Sequence, residues 1–351
     1  MHNKNNYLFV LPFLVFAVSM LVPAAGLAKA RSGEVNFRVT IDAPRDNTDT
    51  RLWLPYPVSD GAQRIEDVRI EGNQTYHGVY RDPATGNMAL YAEWTRPAAE
   101  RRLVLSFRAT AAERVRKDFS APETSLPVEV EDYLKPTRFI PVDGRVREIA
   151  DRITRGRRTV LERAMAVYDW VVENTYRDPT VRGCGTGEVE VLLARKGGVG
   201  GKCADISSVF VALARASGVP AREVFGLRLG DADRVDITGG HHCWAEFYRP
   251  GLGWVPVDPA DVRKAMLVKG LGLEEAEPYR EYFFGAVDGR RIVLGRGGRA
   301  LYLSPPQKDG PLNYFMYPYA EVDGRALGWL AEQGRLKYRV TFKAADRETG
   351  P

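Results

Sequence analysis

The chain has 351 residues, of which 50 are Lys or Arg and 45 Asp or Glu, for a formal net charge of +5. An excess this mild is not a nucleic-acid footprint; basic clusters as short as Arg155-Gly156-Arg157-Arg158 and Arg290-Arg291, with no aromatics interleaved, read as solvated surface, and no nucleic-acid partner is expected. Three cysteines exclude a disulfide-rich scaffold, and their odd number leaves at least one thiol free or paired with another molecule.

Residues 1–30 read as a secretory signal peptide: Lys4 supplies the positive start, Leu8 to Val22 the apolar run, and Ala28-Lys29-Ala30 a small-x-small cleavage site. The mature chain then starts at Arg31, and losing Lys4 and Lys29 takes the charge from +5 to +3. The apolar run is too short and wrongly flanked for a membrane span. No Cys follows it to carry a lipid, and no later stretch is apolar enough to cross a bilayer. A periplasmic or secreted protein without stable membrane insertion is the expectation, with an uncleaved N-terminal anchor as the alternative.

Residues 31–115 read as short strands: Val35 to Ile41, Arg51 to Pro55, Val68 to Glu71, Thr75 to Arg81, Met88 to Trp94 and Arg102 to Ala109. Turn chemistry at Ser59-Asp60-Gly61, Glu71-Gly72-Asn73 and Asp82-Pro83 separates them, which predicts a β-sandwich domain. Residues 116–138, with Pro122, Pro127 and Pro136 among charges, read as a linker. The period then changes. Val146, Ile149, Ala150 and Ile153 share a helical face, and Thr159 with Glu162 is a capping box that opens a second helix. Glu188 to Arg195 is a shorter helix; another begins near Cys203 and stops at Gly218 and Pro220. Strands at Arg222 to Leu229, His242 to Tyr248 and Trp254 to Asp258 complete an α+β core over 139–265. Residues 266–351 read as a β-rich extension packed on that core, with strands at Arg291 to Leu294, Leu301 to Leu303 and Lys337 to Phe342. The aromatic stretch Tyr314, Phe315, Tyr317 and Tyr319 reads as the packing of this tail against the core, with a substrate-lining role as the alternative.

Chemistry concentrates at Cys203, in Gly201-Lys202-Cys203-Ala204-Asp205. Unpaired N–H groups and the dipole at a helix start favour an anion, and Lys202 adjoins the thiol, so Cys203 has the surroundings of a thiolate nucleophile. Gly200 and Gly201 leave room for a substrate backbone. Side chains alternate along the strand from His242, so His242, Trp244, Glu246 and Tyr248 face one way while His241, Cys243, Ala245 and Phe247 face the other. Arg249-Pro250-Gly251-Leu252-Gly253 is a hairpin loop; pairing Tyr248 with Trp254 puts Asp258 near His242 on the same face. Cys203 as nucleophile, His242 as base and Asp258 as the acid that fixes the imidazole form a candidate catalytic set.

Four segments make this chain resemble the transglutaminase-like superfamily, the compact bacterial branch of papain-type thiol enzymes: Gly201 to Asp205, Leu213 to Arg222, His242 to Glu246 and Gly253 to Pro259. The resemblance implies a papain/transglutaminase-like core, and carries nucleophile, base and orienting acid over to Cys203, His242 and Asp258. Ala204 stands where the animal crosslinking enzymes have Trp, which weakens any transfer of protein-crosslinking activity. Acyl transfer through a thioester, without metal or cofactor, is the implied chemistry, on peptide, protein or cell-wall-like amides. The second oxyanion donor is not placed; Trp170, Tyr176 and Trp244 are candidates that read more simply as core.

Other readings are weaker. Cys184, Cys203, His241, His242 and Cys243 match no zinc-ligand spacing, so no metal is expected. Asp231, Asp233 and Asp236 fail the EF-hand loop pattern and read as a solvated loop. Cys184 reads as an ordinary loop cysteine, with a second reactive thiol or pairing to Cys243 as the alternatives. A non-catalytic periplasmic binding or scaffold protein is the competing function.

Overall fold

Period-2 alternation builds the first strands. In β1 (Arg31–Ile41) the side chains of Val35, Phe37, Val39 and Ile41 are buried between exposed or half-buried neighbours, as a strand with one face on a core requires. The chain continues through β2 (Thr50–Pro55), β3 (Gln63–Gly72), β4 (Tyr76–Arg81), β5 (Met88–Trp94), β6 (Arg101–Ala111) and β7 (Arg114–Val115). A short 3-10 helix (Val128–Leu134) lies within the expected linker. Helices α1 (Gly144–Ile153) and α2 (Val160–Asn174), strand β8 (Thr175–Arg177), helix α3 (Val189–Ala194), strand β9 (Val199–Gly201) and helix α4 (Cys203–Ala216) follow. Then come β10 (Ala221–Arg228), β11 (Arg234–Asp236), β12 (His241–Arg249), β13 (Gly253–Val257), helices α5 (Pro259–Lys269) and α6 (Glu277–Tyr282), and strands β14 (Ala286–Val287), β15 (Arg291–Arg296), β16 (Tyr319–Val322), β17 (Arg325–Ala326) and β18 (Leu336–Ala344). This computed structural model describes residues 30–83, 85–327 and 334–345; of the expected signal peptide, residues 1–29 lie outside them. No described helix is long and apolar enough to cross a membrane.

Two five-stranded sheets form the sandwich, in the orders β11-β18-β1-β6-β3 and β17-β16-β2-β5-β4. Their buried side chains, among them Phe37, Leu105, Leu54, Leu90 and Phe342, belong to one continuous apolar core with the helical region. A four-stranded antiparallel sheet, β13-β12-β10-β15, forms the other half of the molecule. Helix α4 packs on β10 and β12 on one side and on α1 and α2 on the other. It is therefore buried along nearly its whole length, which explains its all-round apolar sequence. The Thr159–Glu162 capping box opens α2 with both hydrogen bonds formed.

Residues 266–351 do not form an extension packed only on the core. Among them β15 is the edge strand of the core sheet beside β10, whereas β16 pairs with β2 and β18 lies between β1 and β11. The cause is legible in β18: Leu336, Val340 and Phe342 are buried while Lys337, Arg339 and Lys343 are exposed. Such a strand satisfies its backbone and buries its apolar face at the open edge of β1. Leu301 makes a single bridge to Leu312 in place of the expected strand. The Asp231–Asp236 segment is not simply a solvated loop: residues 234–236 are β11, and Asp231 and Asp236 accept from Arg290 and Arg339.

Candidate active site

Cys203 is the first residue of α4 and only 1% exposed. The parallel pair β8–β9 delivers it, matching Tyr176 with Gly200 and Arg177 with Gly201. Both glycines are required by space: a Cβ at Gly200 would run into the Tyr176 ring, and one at Gly201 into Asp205. The Asp205 carboxylate accepts from the Lys202 N–H and the Gly187 N–H, each at 2.9 Å. It thereby fastens the 184–187 loop to the start of α4. The Ala204 N–H donates to the Cys184 carbonyl at 2.9 Å, so the helix start holds Cys184 against Cys203. Sequence spacing does not contain this neighbour; Cys184 is a buried residue at the site, not an ordinary loop cysteine.

The hairpin has the expected register. Tyr248 pairs with Trp254 and Ala245 with Val257, which brings Asp258 back beside the start of β12. His242 Nε2 lies 2.7 Å from Asp258 Oδ2. His242 and Asp258 are 3% and 0% exposed. The His242 ring stacks on Trp244 at 6.1 Å between centroids, and Gly226 on β10 makes space for that indole. Trp244 is thus a buried wall beneath the imidazole. Tyr176 is exposed beside Gly200 and Trp170 packs against the core.

Electrostatics separate the two adjacent histidines. Burial pushes His241 down to about 4, and the Thr238 carbonyl lies 3.1 Å from its Nδ1. His242 is pulled down by burial and by Arg228, but Asp258 and Asp261 outweigh them and hold it above the usual imidazole value. For Cys203, burial pushes the thiol up. The thiols of Cys184 and Cys243, followed by the His242 imidazole, overcome that and hold it well below the ordinary thiol range. Their own thiols are held well above it, Cys184 chiefly by its hydrogen bond to Cys203 and Cys243 chiefly by burial. The arrangement favours a Cys203 thiolate facing a His242 imidazolium.

Three further residues support the pair. Arg291, 1% exposed, donates to Asp258 at 2.7 Å and to Asp261 at 3.0 Å, and also pairs with Asp288. Arg228 grips Asp261 at 2.6 and 2.7 Å. Asp258 also caps α5, accepting from the Asp261 N–H at 2.9 Å. Asp261 carried a sequence signal, three residues after the cap. Arg291 carried none, because it arrives from β15, 33 residues beyond Asp258.

The remaining wall comes from the tail. Tyr314 stacks on Phe225 at 5.1 Å and donates to the Gly185 carbonyl at 2.8 Å. Tyr317 covers His241 at 4.6 Å, while Phe315 and Tyr319 turn to the sandwich beside Trp53 and Tyr91. A buried Arg299–Glu223 ion pair, joined by Ser208, ties the same tail to α4 and β10.

The sequence profile of the transglutaminase-like superfamily matches residues 147–259. The chain is 35% identical to an uncharacterized protein of Haemophilus influenzae over 89% of its own length and 95% of that protein's. A solved structure of a candidate cysteine protease from Cytophaga hutchinsonii superposes with a TM-score of 0.53 at 14% identity, covering 90% of this chain and 99% of that one; this likeness shows a shared fold. The periplasmic domain of TgpA from Pseudomonas aeruginosa aligns with a TM-score of 0.36 at 17% identity, over 71% and 98% of the two chains.

Proposed function

The chain belongs to the transglutaminase-like superfamily, and we propose that it is an exported thiol enzyme that hydrolyses or transfers amide-linked acyl groups through a thioester on Cys203. The observation that carries this reading is the 2.7 Å His242–Asp258 contact beside a thiol that its neighbours hold well below the ordinary thiol range. Asp258 occupies Nε2 of His242, so Nδ1 is the atom left to serve the thiol and the leaving group. The Cys203 thiolate attacks the amide carbonyl, the S–C bond forms, and Nδ1–H protonates the departing amine as the C–N bond breaks. Water or a second amine then attacks the thioester while Nδ1 takes its proton, and Cys203 leaves as a thiolate. The proposed substrates are peptide, protein or cell-wall-like amides, met in the periplasm or outside the cell after removal of residues 1–30.

The near-complete burial of Cys203 favours one second reading, a binding or scaffold protein that keeps the fold without turnover. Incubation with peptide-amide activity probes and mass analysis separates the two. The enzyme reading expects an acyl adduct on Cys203, then either a free acid or a new amide. No adduct, together with iodoacetamide that leaves Cys203 unlabelled near neutral pH, would establish the scaffold instead.

A further inference from the structure

We propose that Cys184, Cys203 and Cys243, with the Met316 thioether, form a binding site for a thiophilic closed-shell metal ion of the Cu(I), Zn(II) or Cd(II) class. The three sulfurs lie within 4.8 Å of one another and all three residues are buried. The Cys243 sulfur is 3.7 Å from that of Met316. A metal–sulfur bond of about 2.3 Å sets three ligands roughly 3.8–4.0 Å apart in tetrahedral or trigonal geometry. Small side-chain movements therefore close the site, with no backbone change.

Each ligand is held by separate structure. Cys184 is fixed by the Ala204 N–H and by the Asp205 clamp on its loop. Cys203 is fixed at the start of α4, and Cys243 by its pairing with Phe225 in the sheet. Met316 comes from the tail segment that passes the site. A set of thiolates and one thioether is a soft donor set, which selects these ions over magnesium or calcium. The second close group of ligating side chains, His242, Asp258 and Asp261, is different. Arg291 and Arg228 already occupy its carboxylates, so it has no need of a cation.

Binding is a ligand exchange without redox change: three metal–thiolate bonds and one bond to the Met316 thioether form, coordinated water leaves the metal, and the thiol protons of Cys184 and Cys243 pass to solvent. Because Cys203 is one of the ligands, occupancy holds the nucleophile. Metal binding and acyl chemistry then exclude each other, a consequence that rests on the function proposed above, whereas the binding itself does not.

The test is an anaerobic titration of the freshly reduced full chain with cadmium chloride. One equivalent should bind, with a sulfur-to-cadmium charge-transfer band in the ultraviolet and protection of three thiols from alkylation, counted by mass. Cys184→Ser and Cys243→Ser should each weaken binding by about 100-fold or more, beyond the effect usual for outer-shell changes. Alanine versions serve where a serine variant loses its native circular dichroism, and the wild-type thiol count needs no variant. Absence of the band, or a band that survives Cys184→Ala and Cys243→Ala, overturns the site. Cadmium binding with no acyl adduct on Cys203 would instead overturn the enzyme and leave the site standing.

Discussion

His241 and His242 are neighbours in sequence and opposites in chemistry. Strand parity already separates them, because only His242 shares a face with a residue opposite Asp258. Burial then keeps His241 neutral, while the carboxylates of Asp258 and Asp261 keep His242 above its usual value. An imidazolium favours the thiolate, so the acid limb of Cys203 alkylation should lie well below the ordinary thiol value of about 8.5. His242→Ala removes that positive charge, so the limb should move to higher pH and the rate near neutrality should fall. A pH series of iodoacetamide labelling, read by mass, measures both; an unmoved limb would detach His242 from the thiol. Asp258→Asn removes a charge that raises His242, so the upper limit of the imidazolium form should drop to lower pH. The residues missed at this scale share one property. Cys184 and Arg291 reach the site across 19 and 33 residues, from Cys203 and Asp258 respectively, through packing no local pattern encodes.

Elements explain why one carboxylate serves two structures. Asp258 ends the strand pairing that places it by His242 and is at the same time the N-cap of α5, with Pro259 in the first turn and Gly270 in the left-handed conformation at the far end. Those are ordinary helix signals, and reading residues up to Asp258 only as a strand leaves them unused. Asp258→Asn keeps an oxygen for the Asp261 N–H and a partial partner for Arg291. Asp258→Ala loses the cap and strips Arg291 of one buried acceptor, for a combined cost of about 2–4 kcal/mol. Urea unfolding should therefore rank wild type, then Asn, then Ala; equal midpoints for the two variants would remove the capping role. The α2 capping box was legible for the opposite reason, since Thr159 and Glu162 satisfy each other within one turn.

At the scale of the molecule, the chain returns to its beginning. Strand β18 covers the open edge of β1 along nine residue pairs from Gly33–Ala344 to Ile41–Leu336, and β16 extends the other sheet from β2. Truncation after residue 327 should therefore damage the N-terminal sandwich, exposing the β1 edge and the core around Phe37 and Val39. Limited proteolysis followed by mass mapping should show faster cleavage within residues 31–111 than in the full chain; an unchanged rate would make β18 dispensable. Strands β1 to β6, the helices through α4 and the hairpin that sets Asp258 beside His242 were readable from local order, because period, caps and a short hairpin act over a few residues. The closure of the sandwich by the tail, the Arg291 and Arg228 support of the acids, and the meeting of three thiols with Met316 were decided only by the tertiary structure. Those contacts join elements far apart in the chain, and their partners are chosen by which apolar faces and buried charges must be covered once the core has formed.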